Sequence, residues 1–235
     1  MLKHLEKLYD IEYNGHTGRF YGILLADYPQ FSGGSKKYDT TAVQGRLGQL
    51  VGLDNYVENL TVECTFSVIG NVLMQRIREL KRWLSGTGEL RFSDYPETFF
   101  KVWKIDYENI DRQLRRFGQL TVRFVCTPFW YLENGNQPIS GSILFNEADT
   151  ARPVYKISGN GTCTLTVNGK SMTATVGQNL TIDTEKMLAY REDGELQNTG
   201  VTGDYENLYL LHGENEISIS EGFLLSVIPN WGYEF

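Results

Sequence analysis

The chain is poor in the residues that most chemistry needs. Its 235 residues include only three cysteines and three histidines. Cys64, Cys126 and Cys163 lie far apart, with no CxxC and no neighbouring histidine, so the spacing suggests neither a disulfide framework nor a zinc site. Each sits in an alternating apolar pattern and reads as a buried thiol. His4, His16 and His212 are dispersed, and no Ser-His-Asp or Cys-His arrangement follows from their positions. No stretch approaches the roughly 18–20 consecutive apolar residues of a membrane span. The opening MLKHLEKLYDIEYNG lacks the apolar run and small-residue cleavage site of a signal peptide, so a soluble, unsecreted product is expected.

What is present is apolar and aromatic. Hydrophobic residues make up 41% of the chain, enough for one large core or two modest ones. Aromatics reach 13%, with 14 Tyr against the three His, a surplus that favours large interfaces over acid–base chemistry. The net charge of -7 is unevenly spread. Residues 1–131 carry 17 Lys+Arg and 15 Asp+Glu, or +2, whereas residues 132–235 carry 5 and 14, or -9. An acidic second half repels a phosphate backbone, which argues against specific nucleic-acid binding there. Between the halves, LENGNQPISGSILFNEADTARP is rich in turn residues, and a linker over 132–152 is expected to join domains at 1–131 and 153–235.

In the first half, FYGILLAD and TVECTFSVI read as strands, the second placing Val62, Cys64, Phe66 and Val68 on one face. Asn71 can cap a helix in which Leu73, Ile77, Leu80 and Leu84 recur at helical spacing, with Gly86 after its end. GELRFSD, FFKVWKIDYE and RRFGQLTVRFVCTPFW follow as sandwich or sheet strands, and strands flanking a single helix make this half α+β. The second half has no convincing helix. TCTLTV meets Asn168-Gly169 and resumes as KSMTATV, a strong hairpin signal, and further strands recur about every ten residues, as in an antiparallel β-sandwich. The expected class is therefore mainly β.

Several candidate chemistries fit blander roles. The acidic pairs Asp94 and Glu97, Asp106 and Glu108, and Asp183 and Glu185 have the spacing of solvated strand ends rather than two carboxyls facing one cleft. Gly86-Thr87-Gly88 follows a helix and precedes a strand, the wrong order for a nucleotide loop. Arg78, Lys81 and Arg82 form the polar face any amphipathic helix turns to water. Tyr190, Tyr205, Tyr209, Trp231 and Tyr233 could stack on sugar rings, and a module binding host cell-wall carbohydrate is the rival function, but packing explains them as well.

Three segments carry a resemblance. TTAVQGRLGQL, with Gly45-Arg46 and Gly48, precedes the long strand TVECTFSVIG. YPETFFKVWKIDYENIDRQLRRFGQLTVRFVCTPFWY ends in Thr127, Pro128, Phe129 and Trp130. The series GNGTCTLTVNGK, LTIDTEKMLAY, LLHGENEISIS and FLLSVIPNWGYEF includes a Gly-x-Asn turn at Gly213 and Asn215. In order and spacing these segments resemble the distal tail protein (Dit) family of long-tailed, non-contractile phages of Gram-positive bacteria.

That resemblance, and no feature of composition or periodicity, implies a structural baseplate hub of the virion tail tip, assembled in the host cytoplasm. Six copies would form a ring, a homo-hexamer built from the first domain, an N-terminal β-sandwich with one α-helix and a hairpin, with a galectin-like antiparallel β-sandwich as the second domain pointing outward. The ring would join the tail tube protein to the tail-tip (tail-associated) protein and could hold receptor-binding proteins during host adsorption. No catalysis, cofactor, metal or membrane contact is implied. On its residues alone, the segment FSGGSKKYDTT (31–41) could extend across a neighbour by β-augmentation or be an ordinary mobile surface loop. Phe31, Gly33, Gly34, Lys36, Lys37, Gly45, Arg46, Phe129 and Trp130 are the candidate ring-interface residues.

Overall fold

A computed structural model describes residues 9–69, 73–114 and 117–235. The chain is mainly β and divides into two compact units. One comprises residues up to Trp130 together with Phe235, the other Tyr131–Glu234.

The first unit contains β1 (Ile11–Tyr13), β2 (His16–Thr17), β3 (Leu24–Leu25), β4 (Gln30–Ser32), β5 (Lys36–Thr41), β6 (Leu50–Val57), β7 (Leu60–Ile69), α1 (Leu73–Trp83), β8 (Gly88–Phe92), β9 (Tyr95–Leu114) and β10 (Phe117–Cys126). β11 (Phe129–Leu132) runs across the chain boundary between the units. The main antiparallel sheet has the order β2-β1-β8-β9-β10-β7-β3, with β4 also on β7. Period-two alternation explains its inner strands. Val62, Cys64, Phe66 and Val68 of β7 and Leu120, Val122, Phe124 and Cys126 of β10 are all buried, and their registers match, Cys64 opposite Val122 and Phe66 opposite Leu120.

Against this core α1 buries Ile77, Leu80 and Trp83, and Leu84 is buried just past its end. Fully burying such a side chain contributes roughly 1.5–3 kcal/mol. Trp83 adds an anchor the spacing of leucines did not reveal: its indole N–H donates to the Tyr13 carbonyl at 3.1 Å. The Asn71 cap and the Leu73 side chain lie outside the described residues. The helix stops where Ser85 Oγ donates to the Arg82 carbonyl and Gly86 takes a φ of +79°.

The second unit contains β12 (Ile143–Asn146), β13 (Val154–Val167), β14 (Lys170–Asp183), β15 (Leu188–Tyr190), β16 (Val201–Thr202), β17 (Gly213–Ile219), β18 (Leu224–Ile228) and β19 (Gly232–Glu234). Its backbone is the β13–β14 hairpin, whose unbroken register runs from Val154 opposite Asp183 to Val167 opposite Lys170. Asn168 and Gly169 close it with φ values of +51° and +78°, the left-handed pair a two-residue turn requires. Both long strands serve two sets of neighbours. β17 and β18 pair with opposite halves of β13, and β16 and β15 with opposite halves of β14.

The stretch 132–152, turn-rich in sequence, is folded into this second unit. It supplies β12 on the edge of β17 and buries Leu144, Ala148 and Ala151. Its turn residues serve the fold: Asn146 Nδ2 donates to the Asp149 and Leu210 carbonyls, and its Oδ1 accepts from the Ala148 N–H. The Gly-x-Asn turn has a similar basis. Asn215 Nδ2 donates to the Leu211 and Gly213 carbonyls, while its Oδ1 accepts from the Leu211 N–H and from Asn168 Nδ2. All four hydrogen-bonding positions of a buried amide are thereby filled.

Candidate assembly surfaces

The candidate interface residues fall into two places within the first unit. One is the β5–β6 ribbon, a two-stranded sheet that among the described residues pairs with no other strand. Lys36 and Lys37 open it, and Lys37 Nζ lies 2.7 Å from Glu58 Oε1 at its base. Gly45 and Arg46 form its tip, where Gly45 has φ +83° and the Arg46 N–H donates to the Val43 carbonyl at 3.2 Å. The ribbon exposes apolar side chains along its length: Tyr38, Val43, Leu47, Leu50 and Val51, with Leu47 wholly in solvent. A two-stranded ribbon by itself is marginal in water, and these exposed apolar side chains mark a candidate interaction surface.

The other place is an aromatic wall. Phe31 of β4 stacks on Phe235 at 5.5 Å and meets Phe92 edge-on at 5.8 Å. Gly34 follows it because a Cβ there would press to 3.2 Å on the Phe235 ring, and Gly33 because a Cβ would come within 2.3 Å of the Asn59 carbonyl oxygen. Trp130 stacks on Phe100 at 5.8 Å and 8°, while Phe129 is buried beside it in the chain. Phe31, Phe92, Phe100, Trp130 and Phe235, with Tyr9 and Tyr28, line a cavity of about 230 Å³. Burial and the Asp94 carboxylate push the Tyr9 phenol up from its ordinary value, so it stays neutral. Of the candidates from sequence, Phe31 and Trp130 supply rings to this wall and Phe129 lies buried beside it. Its other rings come from distant segments, and the aromatic surplus was their sole trace.

Several of the groups weighed for chemistry are engaged elsewhere. Asp106 pairs with Lys104 at 2.8 Å and Glu108 with Arg123 at 2.6 Å. Asp183 pairs with Lys186 at 3.0 Å, and Glu185 accepts a hydrogen bond from the Tyr131 hydroxyl. His212 Nδ1 lies 3.0 Å from the Ala148 carbonyl. The three cysteines are free and buried, and burial raises each thiol, Cys126 to about 12, which keeps it unreactive. Among the described residues no group of three His, Cys, Asp or Glu is placed to hold a metal ion, and no helix is long and apolar enough to cross a membrane.

The five aromatics of the second half do not assemble into a sugar platform. Trp231 is buried in the core, Tyr205 donates to Asn198 Oδ1 from a 3-10 turn, and Arg152 lies over the Tyr209 ring at 5.6 Å. Among the described residues no ring contact joins any two of the five.

No family model and no curated protein sequence matches this chain. Among solved structures, it is similar to the Dit protein of phage SPP1, which is described as a paradigm of the hub adsorption apparatus in phages infecting Gram-positive bacteria. The two superpose with a TM-score of 0.64 at 15% identity, over 94% of this chain and 98% of the other. At that identity the likeness is one of fold, and it spans both units.

Proposed function

We propose that this chain is a non-enzymatic structural hub of a phage tail tip, in which six copies close a ring between the tail tube and the tail-tip protein. The single observation that carries the reading is the β5–β6 ribbon. A ring subunit needs two different lateral surfaces that meet head to tail, and a separate two-stranded ribbon with exposed apolar side chains would supply one of them. Its cationic start at Lys36 and Lys37 and its tip at Gly45 and Arg46 are the ring-interface residues of this reading, while Phe31, Gly33, Gly34, Phe129 and Trp130 support it from the aromatic wall. The end-to-end likeness to a hub protein supports the same role, as does the order of motifs in the sequence. In this reading the second unit is the galectin-like domain, facing outward, where receptor-binding proteins would attach.

Light scattering and negative-stain microscopy of the purified chain test it. Six-fold rings are expected, and Leu47→Asp should leave the melting temperature unchanged while converting rings to monomers. A sharp monomer at high micromolar concentration, with no rings alone or with tube protein, overturns the proposal.

A further inference from the structure

The second unit carries an open sheet edge whose composition is unusual for an exposed strand. β12 is the terminal strand of its sheet and among the described residues pairs only with β17, Ile143 opposite Glu216 and Phe145 opposite Glu214. The Ile217 N–H donates to the Ser142 carbonyl at 2.7 Å, and this fixes the phase of the ladder. In an antiparallel pair the hydrogen-bonded residues alternate. Ser142, Leu144 and Asn146 therefore turn their main-chain groups to β17, and Ile143 and Phe145 turn theirs outward. Among the described residues neither outward N–H nor outward carbonyl has a partner. Their side chains are open as well, Ile143 at 59% and Phe145 at 63% of full exposure.

Natural edges are commonly blunted by Lys, Pro, bulges or inward charges. The strand Ile-Leu-Phe-Asn has none of these, and Asn146 ends it by folding its side chain back onto Asp149 and Leu210. Beside the apolar pair stands a second row, Glu214 and Glu216, both exposed and neither in an ion pair among the described residues. The outer face at this edge is thus two strands deep: apolar at the rim and acidic one strand spacing in.

We infer that the β12 edge is a β-augmentation site for an extended segment of another polypeptide, apolar and basic at alternating positions. The segment's main chain would pair with Ile143 and Phe145. Its same-face side chains would cover those two residues, and its Lys or Arg would reach over them to Glu214 and Glu216, about 10 Å or two strand spacings away. Charge selects this occupant over a second copy. Edge-to-edge self-pairing would bring together two segments of charge -9, each with Glu147 and Asp149 just past the strand and no basic residue from 132 to 151. The inference does not depend on the hexameric reading, since it uses only the second unit.

The test uses the full-length chain and three acetylated nine-residue peptides: one alternating Lys and Val around a central Thr, one with Glu in place of Lys, and one with the Lys/Val order scrambled. Titration followed by hydrogen exchange should show the Lys/Val peptide binding and protecting the Ile143 and Phe145 amides. Phe145→Pro removes the outward N–H but no ladder bond, and should weaken binding by about tenfold or more with the melting temperature little changed. Phe145→Lys keeps the backbone donor and should weaken the basic peptide through like charge together with loss of the covered ring. Equal binding of the acidic or scrambled peptide, undiminished binding to both variants, no binding at all, or dimerisation through this edge that Phe145→Lys abolishes would each overturn the inference.

Discussion

The two units use the same strand chemistry and finish it differently. The first buries a continuous apolar cluster between its sheet and α1, then leaves a whole ribbon, β5–β6, outside that cluster. The second folds almost all of its strand length around one hairpin and leaves an edge two residues long. The contrast extends to charge, +2 over residues 1–131 against -9 over 132–235. A near-neutral surface with an uncovered apolar ribbon suits close packing among identical subunits. A highly acidic one resists that packing and suits contact with a basic partner instead. The lesson is that unsatisfied structure, rather than any cluster of reactive groups, points to function here.

The largest expected effect tests where the second unit begins. A fragment spanning 131–234 should fold, because its core cluster lies within those residues. A fragment starting at 153 loses β12 and the buried Leu144, Ala148 and Ala151, and it uncovers one side of β17. It should be unfolded or aggregated by circular dichroism and gel filtration. If both fragments fold equally well, β12 is an accessory strand and the boundary belongs later in the chain.

Next, Leu80→Ala in the first unit and Leu165→Ala in the second each empty a fully buried site and should cost about 2–5 kcal/mol. Calorimetry should resolve which transition each moves. Leu80→Ala should lower one and Leu165→Ala the other. A common shift would show the two units unfolding as one cooperative body.

These effects also mark how far the sequence could be read. The helix, the Asn168-Gly169 hairpin and the β7 face were legible because each is local: period 3.6, a turn dipeptide, period two. Segment 132–152 was misleading for a physical reason. Asn, Gly and Ser mark solvated loops in composition, yet Asn146 is buried here and satisfied by three hydrogen bonds. The interface candidates were legible as segments through the resemblance. The aromatic wall was not, because its rings come from residues 9 to 235 and no period links them. The β12 edge was hidden too, since a two-residue opening depends on register with β17, seventy residues away.

A smaller effect is expected at Asn215. Replacing it by Ala removes two donors and two acceptors and leaves the main chain of residues 211–213 partly unpaired, at a cost of about 1–3 kcal/mol. Denaturant unfolding of the second unit should show it. Asn168→Ala should cost less than Asn215→Ala, because the Asn168 side chain makes one bond to Asn215 and accepts one from the Glu216 N–H. An inverted ranking would mean that the hairpin turn, rather than the Gly-x-Asn turn, fixes β17.

The smallest effect concerns Asp10, a buried carboxylate in the first unit. Burial raises its pKa above the ordinary 3.8, against hydrogen bonds from the Arg19 and Ile11 N–H groups and the charge of Arg19, 3.6 Å away. The folded state then holds this proton more tightly than the unfolded chain. Its contribution is complete below 3.8 and is lost as pH rises through the folded value. Asp10→Asn cannot titrate, and it carries a constant offset from its altered contact with the Arg19 N–H. The informative quantity is therefore the slope. The stability of the natural protein relative to the variant should fall as pH rises from 3.8 and then level off, read by urea unfolding at a series of pH values. If the natural protein gains on the variant over that range, the two N–H donors and Arg19 outweigh burial. Asp10 would then act as an anchored anion holding the turn after β2, and its ionised form would stabilise the first unit.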